Sequence, residues 1–145
     1  MDISNFDIKI KEIAKRNSVL FELESDQKAD DESLCCIENY YKVRLPDDYK
    51  YFLKQYGGGY FGFIVIFSCD VNGMFYIKDH VCDEWIKNKF FLPVMDFETG
   101  DYAGFKVNGG ICENKMLLYS HEQDELLKSA DDFFDCILKY GFNQN

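Results

Sequence analysis

The sequence predicts a single α+β domain over residues 1–145, with a central, largely antiparallel sheet flanked by N-terminal helices and one C-terminal helix. Three observations predict this fold. Apolar residues recur at helical spacing in the first third of the chain, short apolar runs separated by turn residues fill the middle, and helical spacing returns near the C-terminus. The length is typical of one domain that buries roughly 70% of its unfolded surface.

Two helices are predicted before Pro46. The first is capped near Asp2 or Ser4, and its apolar stripe consists of Ile3, Phe6, Ile10 and Ile13. Residues 22–31 are polar and acidic, which predicts a surface loop. The apolar face of the second helix consists of Leu34, Ile37 and Tyr41.

The next helix has both of its ends marked in the sequence. Pro46 fixes φ where the helix begins, and Asp47 and Asp48 place negative charge at the positive end of its dipole. Gly57 ends the helix, because glycine adopts the left-handed conformation without a steric penalty. The stripe that faces the core consists of Tyr49, Phe52, Leu53 and Tyr56.

The middle of the chain predicts an antiparallel meander. Residues 60–67 are predicted to form one buried strand, and Asn72-Gly73 predicts a hairpin that leads into a strand at 74–77. Residues 79–89 predict a short helix or an ordered loop over the sheet. Turn residues separate the further strands predicted at 92–97, 102–107 and 116–119.

A last helix is predicted near the C-terminus. Ser129, with Asp132 three residues later, resembles a capping box, and Gly141 ends the helix. The inward stripe of this helix consists of Ala130, Phe133, Phe134, Ile137 and Leu138. The order of helices, strands and helix supports the α+β class.

The proline-initiated helix, its glycine run and the strand after it form a recognisable pattern, carried by Leu45, Pro46, Asp48, Tyr49, Phe52, Leu53, Tyr56, Gly57 to Gly59 and Gly62. This pattern resembles the SUKH superfamily, which joins the yeast glucan-synthesis regulators to bacterial immunity proteins of toxin systems. Weaker similarity continues through 91–94, 100–102 and 129–134. Many members have a tryptophan before the histidine of the late strand, where this chain has Tyr119-Ser120-His121.

Composition and charge exclude several classes of protein. The net charge is −10, from 26 acids and 16 bases, which predicts no nucleic-acid binding because phosphates are repelled. No apolar run approaches the roughly 20 residues of a membrane span, and no signal segment is visible, so we expect a cytoplasmic protein without a membrane partner. The cysteines lack the Cys-x-x-Cys spacing and are expected to be small core residues: Cys35, Cys36, Cys69, Cys82, Cys112 and Cys136.

Candidate catalytic groups lack a recognisable motif. His80, Cys82 and Asp83 are metal-ligand types, but no second cluster follows them, so we predict no metal and no cofactor. The glycines of residues 57–62 do not predict a phosphate-binding loop, because they follow a helix, whereas the glycines of such a loop precede one. The acids around the turn predicted between residues 97 and 102 are interpreted as solvated groups and not as a catalytic pair: Asp96, Glu98 and Asp101.

We therefore predict a non-catalytic protein-binding domain. The resemblance implies an immunity protein that binds and neutralises a cognate polymorphic toxin, a basic protein such as a nuclease. Loops at one end of the sheet can converge, and the predicted contact residues are Tyr60, Phe61, Glu98, Asp101, Tyr119, Glu122, Asp124 and Glu125. The alternatives are a regulatory scaffold of cell-wall or glucan synthesis, or a small-ligand-binding protein or enzyme with a site near His80, Cys82 and His121.

Overall fold

The computed structural model describes residues 1–144 and confirms the α+β fold. Its helices are α1 (Ile3–Arg16), a 3-10 helix (Ser18–Phe21), α2 (Asp31–Tyr41), α3 (Asp47–Tyr56), α4 (Ile77–His80), α5 (Glu84–Lys89) and α6 (Phe133–Cys136), which continues as a π-helix (Ile137–Gly141). Its strands are β1 (Gly59–Phe61), β2 (Ile64–Ile66), β3 (Phe91–Asp96), β4 (Tyr102–Asn108), β5 (Ile111–Ser120) and β6 (Glu125–Asp132). Within the described residues, no helix has the length and apolar character needed to cross a membrane.

The six strands form one antiparallel sheet in chain order, from β1 to β6. Each strand pairs with the next one along the chain, for example Tyr60 of β1 with Val65 of β2 and Tyr102 of β4 with Tyr119 of β5. In such a meander, every second connection lies at the same end of the sheet, because the strand direction alternates. The β1–β2, β3–β4 and β5–β6 connections therefore share one end.

An aromatic core joins the helices to the sheet. The ring of Phe133 in α6 lies 5.4 Å from that of Tyr49 and 5.6 Å from that of Phe52, both in α3. Tyr49 also packs on Phe105 of β4, and its hydroxyl donates a 2.6 Å hydrogen bond to the carbonyl of Phe67. These side chains are fully buried, so the core-facing stripe predicted for α3 is confirmed at its centre.

Several predicted helix features are confirmed. Asp2 caps α1, since its carboxylate accepts the N–H of Asn5 at 2.8 Å. The third helix starts after Pro46 and ends at Gly57, whose φ is 82°. The segment predicted over 79–89 contains the end of α4 and all of α5. Local sequence signals therefore place these elements correctly.

The single strand predicted over 60–67 is wrong, because the chain reverses direction within it. Gly62 has a φ of 64°, and a Cβ atom there would lie 2.1 Å from the carbonyl oxygen of Gly141. Glycine alone tolerates both the positive φ and this close approach. The run forms the hairpin of β1 and β2, with Phe63 exposed at its tip.

The hairpin predicted at residues 72–73 is also wrong, because residues 70–76 form a loop around the carboxylate of Asp26. That carboxylate accepts the backbone N–H of Met74 at 3.0 Å and that of Phe75 at 2.9 Å. A side chain distant in sequence thus satisfies the donors that a paired strand would have satisfied. The predicted strand at 74–77 is absent from the described sheet for this reason.

The acidic segment 22–31 is on the surface, as predicted, and backbone hydrogen bonds hold it against β1. The N–H of Tyr60 in β1 donates to the carbonyl of Glu24 at 2.9 Å, and the N–H of Asp26 donates to the carbonyl of Gly58, just before β1, at 2.8 Å. Gly59 permits this approach, because a Cβ atom there would lie 2.7 Å from the carbonyl oxygen of Glu24. The glycine run therefore ends a helix and admits a neighbouring segment.

The C-terminal part differs from the prediction at β6. Ser129 does not cap a helix, because it lies in this strand, and Ala130 lies there too. The cap of α6 is Asp132, whose carboxylate accepts the N–H of Asp135 at 2.9 Å. β6 is an edge strand with many charged residues, so its sequence lacks the apolar alternation that predicts a strand.

We expect Asp26→Ala to lower the free energy of unfolding by about 3 kcal/mol, because it leaves three donors without their acceptor. These donors are the N–H groups of Met74 and Phe75 and the hydroxyl of Ser68. Asp31→Ala is the control, since Asp31 is 91% exposed and makes a surface ion pair worth less than about 1 kcal/mol. Urea denaturation measures both variants, and equal stability of the two would contradict the role of Asp26.

Candidate functional site

Three turns share one end of the sheet: residues 62–63, 97–101 and 121–124. We call them the turn end. Hydrogen bonds join two of the turns directly, since the carboxylate of Asp101 accepts the backbone N–H of His121 at 2.9 Å and lies 2.6 Å from its Nδ1. The structure thus brings the β3–β4 and β5–β6 turns into contact.

The predicted acidic contact residues all lie at or beside the turn end with surface-accessible side chains: Glu98, Asp101, Glu122, Asp124 and Glu125. Asp101 pairs with His121, and Asp124 pairs with Lys89. Glu122 and Glu125 take part in none of the ion pairs found between residues 1 and 144. The turn end therefore carries more negative than positive charge.

His121 stabilises the ionised form of Asp101. Its backbone N–H and its ring both interact with the carboxyl group, and together they lower the pKa of Asp101 below its ordinary value. Both side chains are partly exposed, so solvent screens the interaction and its energy is modest. Its main effect is to hold one turn against the other.

Asp124 is held in place by two neighbours. The hydroxyl of Tyr119 donates to its carboxylate at 2.7 Å, and Nζ of Lys89 lies 3.1 Å from the same oxygen. The hydrogen bond from Tyr119, followed by the interaction with Lys89, lowers the pKa of Asp124. The same hydrogen bond raises the pKa of Tyr119. These two predicted contact residues therefore act as one unit.

Tyr60 and Glu98 form a second such pair. The hydroxyl of Tyr60 donates to the Glu98 carboxylate at 2.9 Å, and this bond raises the pKa of Tyr60. Glu98 has a φ of 60°, and its N–H donates to Asp96 at 2.7 Å. The backbone of the turn therefore directs the Glu98 side chain toward β1.

Phe63 is a strongly exposed aromatic residue at the turn end. The prediction that Phe61 is exposed is wrong, because its ring packs 5.0 Å from that of Phe52 and 5.3 Å from that of Tyr56 in the core. Phe63 is 60% exposed. The sequence does hold a signal for this residue, since Gly62 permits a turn that leaves the next side chain at its tip.

A further aromatic group beside the turn end was not predicted. Trp85 of α5 packs edge-on against Tyr119 at 4.9 Å and against Tyr102 at 5.8 Å. The two tyrosines are cross-strand partners in β4 and β5. Because the register of the sheet brings these distant residues together, no local sequence pattern could have indicated the group.

The histidines and cysteine of the enzyme alternative do not form a site. Nε2 of His80 lies 2.9 Å from the carbonyl oxygen of Met74, whereas His121 pairs with Asp101 at the turn end. No hydrogen bond links Cys82 to either histidine in the described part of the chain. Among residues 1–144, no group of three or more His, Cys, Asp and Glu side chains could hold a metal ion.

The prediction that all the cysteines are core residues is wrong for half of them. Cys35, Cys36 and Cys82 are exposed, and all six cysteines are free thiols. Burial raises the pKa of the other three thiols to about 12, so they are protonated and poorly nucleophilic at neutral pH: Cys69, Cys112 and Cys136.

Residues 31–137 match the SUKH_6 family, whose description is SMI1-KNR4 cell-wall. The chain belongs to the SUKH superfamily. The matched range includes α2, α3, the whole sheet and the turn end, so the resemblance seen in the sequence is confirmed. A comparison with curated proteins finds no match. SUKH domains are generally non-catalytic immunity or regulatory domains that bind partner proteins.

The Asp101–His121 interaction predicts a dependence of stability on pH. Because folding lowers the pKa of Asp101, its stabilising contribution is present above the unfolded value of 3.8 and is lost as the pH falls through the lower folded value. We expect the difference in urea midpoint between the wild type and Asp101→Asn to shrink as the pH falls from about 5 to about 2. A difference that stays constant over this range would contradict the assignment, and Glu122→Gln is the control, because Glu122 takes part in no ion pair among the described residues.

Proposed function

We propose that this SUKH domain is an immunity protein that binds a basic protein toxin and neutralises it without catalysis. The observation that carries the proposal is the turn end, where acidic side chains and an exposed aromatic residue lie at the same end of the sheet. Membership of a family of partner-binding domains supports it. In this proposal the partner is a cognate polymorphic toxin, for example a nuclease, whose substrate-binding face is positively charged.

Charge at the turn end supports rapid association with such a partner. The net charge of −10 sets the sign of the long-range field, and the turn end concentrates acids on adjacent turns. Complementary fields of this kind raise association rates from roughly 10⁵–10⁶ to as much as about 10⁸–10⁹ M⁻¹s⁻¹ at low salt. Glu122 and Glu125 can meet lysine or arginine on the toxin without first breaking an internal ion pair.

Phe63 supplies the apolar contact that an acidic surface alone lacks. An aromatic side chain buries roughly 150–250 Å² when it is fully covered, and aromatic anchors dominate many interfaces. Phe63 lies at the tip of the β1–β2 hairpin, at the same end of the sheet as the acidic turns. In the proposed complex, Phe63 enters a pocket on the toxin while the acids form the polar rim.

The negative charge of the surface limits which partners can bind. A nucleic acid would be repelled by the acidic surface, so the domain acts on the toxin and not on the toxin's substrate. A nuclease toxin reaches nucleic acid inside the cell, and we therefore place this protein in the cytoplasm. Masking the basic face of the toxin would prevent substrate binding with no bond made or broken.

A regulatory scaffold of cell-wall synthesis is the second candidate, and the description of the matched family supports it. The gene neighbourhood discriminates between the two. A neighbouring reading frame that encodes a large polymorphic toxin favours immunity, whereas neighbouring genes of wall synthesis favour regulation. Co-expression with the product of the adjoining frame tests immunity directly, since stoichiometric protection of growth is expected. Growth arrest despite equimolar expression would overturn the proposal.

Charge reversal at the free acids is expected to slow association. Glu122→Lys with Glu125→Lys should lower the association rate for that toxin at least about tenfold at low salt, with a smaller effect at high salt. Glu12→Lys with Glu113→Lys is the matched control, because these exposed acids lie in α1 and early β5. Surface plasmon resonance measures the rates, and equal slowing in both double variants would contradict a localised acidic contact.

Removal of the aromatic anchor is expected to speed dissociation. Phe63→Ala should raise the dissociation rate at least about tenfold and leave the association rate nearly unchanged, because the lost contact is short-range. Phe90→Ala is the control, since Phe90 is 61% exposed but precedes β3, away from the turn end. A dissociation rate of Phe63→Ala equal to that of the wild type in the same assay would contradict the role of Phe63 in the interface.

A further inference from the structure

A cleft of about 410 Å³ lies between the start of α2 and the loop over residues 69–76. Hydrogen bonds fix its walls. The carboxylate of Asp70 accepts the N–H of Gln27 at 3.0 Å, and the carboxylate of Asp26 holds the other end of the loop. The cleft is therefore formed in the folded chain before any partner binds. It shares no residue with the turn end.

The inner surface of the cleft is largely apolar and is lined by Cys36, Cys69, Val71 and Tyr76. Val71 is 69% exposed, so it lies at the mouth of the cleft, and the apolar surface continues outside the cleft at Met74, which is 64% exposed. The Tyr76 hydroxyl is a neutral hydrogen-bond donor at physiological pH, and burial raises its pKa further. An apolar surface that extends beyond the cavity is typical of contact with a protein segment.

Acidic side chains outnumber basic ones around the cleft. Asp30, Glu32 and Asp70 line it together with Lys28. The backbone N–H and then the hydroxyl of Ser33 lower the pKa of Asp30, so its negative charge persists below the ordinary range for an aspartate. The charge of the rim therefore favours a cationic segment beside the apolar floor.

We infer that this cleft receives one aromatic side chain carried by a basic segment of a partner protein. Its volume lies near the lower end of the roughly 300–1,000 Å³ of ligand pockets, which suits a single large side chain. Aromatic residues are the favoured anchors of protein interfaces, and lysines or arginines on both sides of the anchor would face the acidic rim. The cleft is thus a second binding site, independent of the turn end.

Chemical-shift mapping with the peptide acetyl-Lys-Lys-Trp-Lys-Lys-amide tests the inference. Shift changes in ¹H–¹⁵N spectra are expected to concentrate in residues 27–36 and 69–76. Cys36→Trp fills the cleft and should weaken binding at least about tenfold, whereas Cys35→Trp should stay within about twofold. The two cysteines are adjacent in α2 and both exposed, but only Cys36 lines the cleft. Glu32→Lys is a second variant that should also weaken binding.

Two further ligands test whether the aromatic side chain and the flanking lysines are both needed for binding to the cleft. The peptide with glycine in place of tryptophan and the compound acetyl-tryptophanamide should each bind at least about tenfold more weakly than the full peptide. Equal binding of the glycine peptide would overturn the inference by showing that charge suffices, and equal binding of acetyl-tryptophanamide would overturn it by showing a small-molecule pocket. Shifts centred on 97–101 and 121–125 would also overturn it. The toxin is absent from this assay, so its outcome is independent of toxin neutralisation.

Discussion

The pairing of β4 with β5 is the constraint on which the turn end depends. Its register sets Tyr102 opposite Tyr119, and the turns that precede β4 and follow β5 are then neighbours. The same register sets Phe105 opposite Met116, and both of these side chains are fully buried. A slip of one residue would move every side chain of one strand to the other face of the sheet. Burial of the core therefore determines where the charged surface residues meet.

Some carboxylates of this acidic chain hold the fold together, and others are exposed and take part in no ion pair among the described residues. Asp26 and Asp70 accept backbone N–H groups and organise the loop beside β1, while Asp101 and Asp124 hold the turn end together. These interactions offset part of the self-repulsion that a net charge of −10 produces. The exposed acids without an ion pair remain available for a partner. The acidic side chains of this chain thus contribute both to the stability of the fold and to the proposed binding of a partner.

Sequence reasoning succeeded for the first helix caps, failed where contacts are long-range, and also missed the local turn at Gly62. The caps of α1 and α3 need only neighbouring residues, so they were predicted correctly. The loop around Asp26 depends on contacts between residues almost fifty positions apart, and the cluster around Trp85 depends on sheet register. Convergence of the acidic turns follows from a meander and was expected. Their internal partners, such as Lys89, could not be read from spacing, and Phe61 was assigned to the surface because the turn at Gly62 was missed.

Hydrogen–deuterium exchange on the complex with the toxin encoded by the adjoining reading frame tests the central claim most directly. The proposed interface predicts slower exchange in the complex at residues 62–63, 97–101 and 121–125, measured against the free protein under the same conditions. Strand interiors should exchange alike in both states. Tight binding with no change in exchange at these three turns would contradict the claim that the turn end is the surface through which this protein acts.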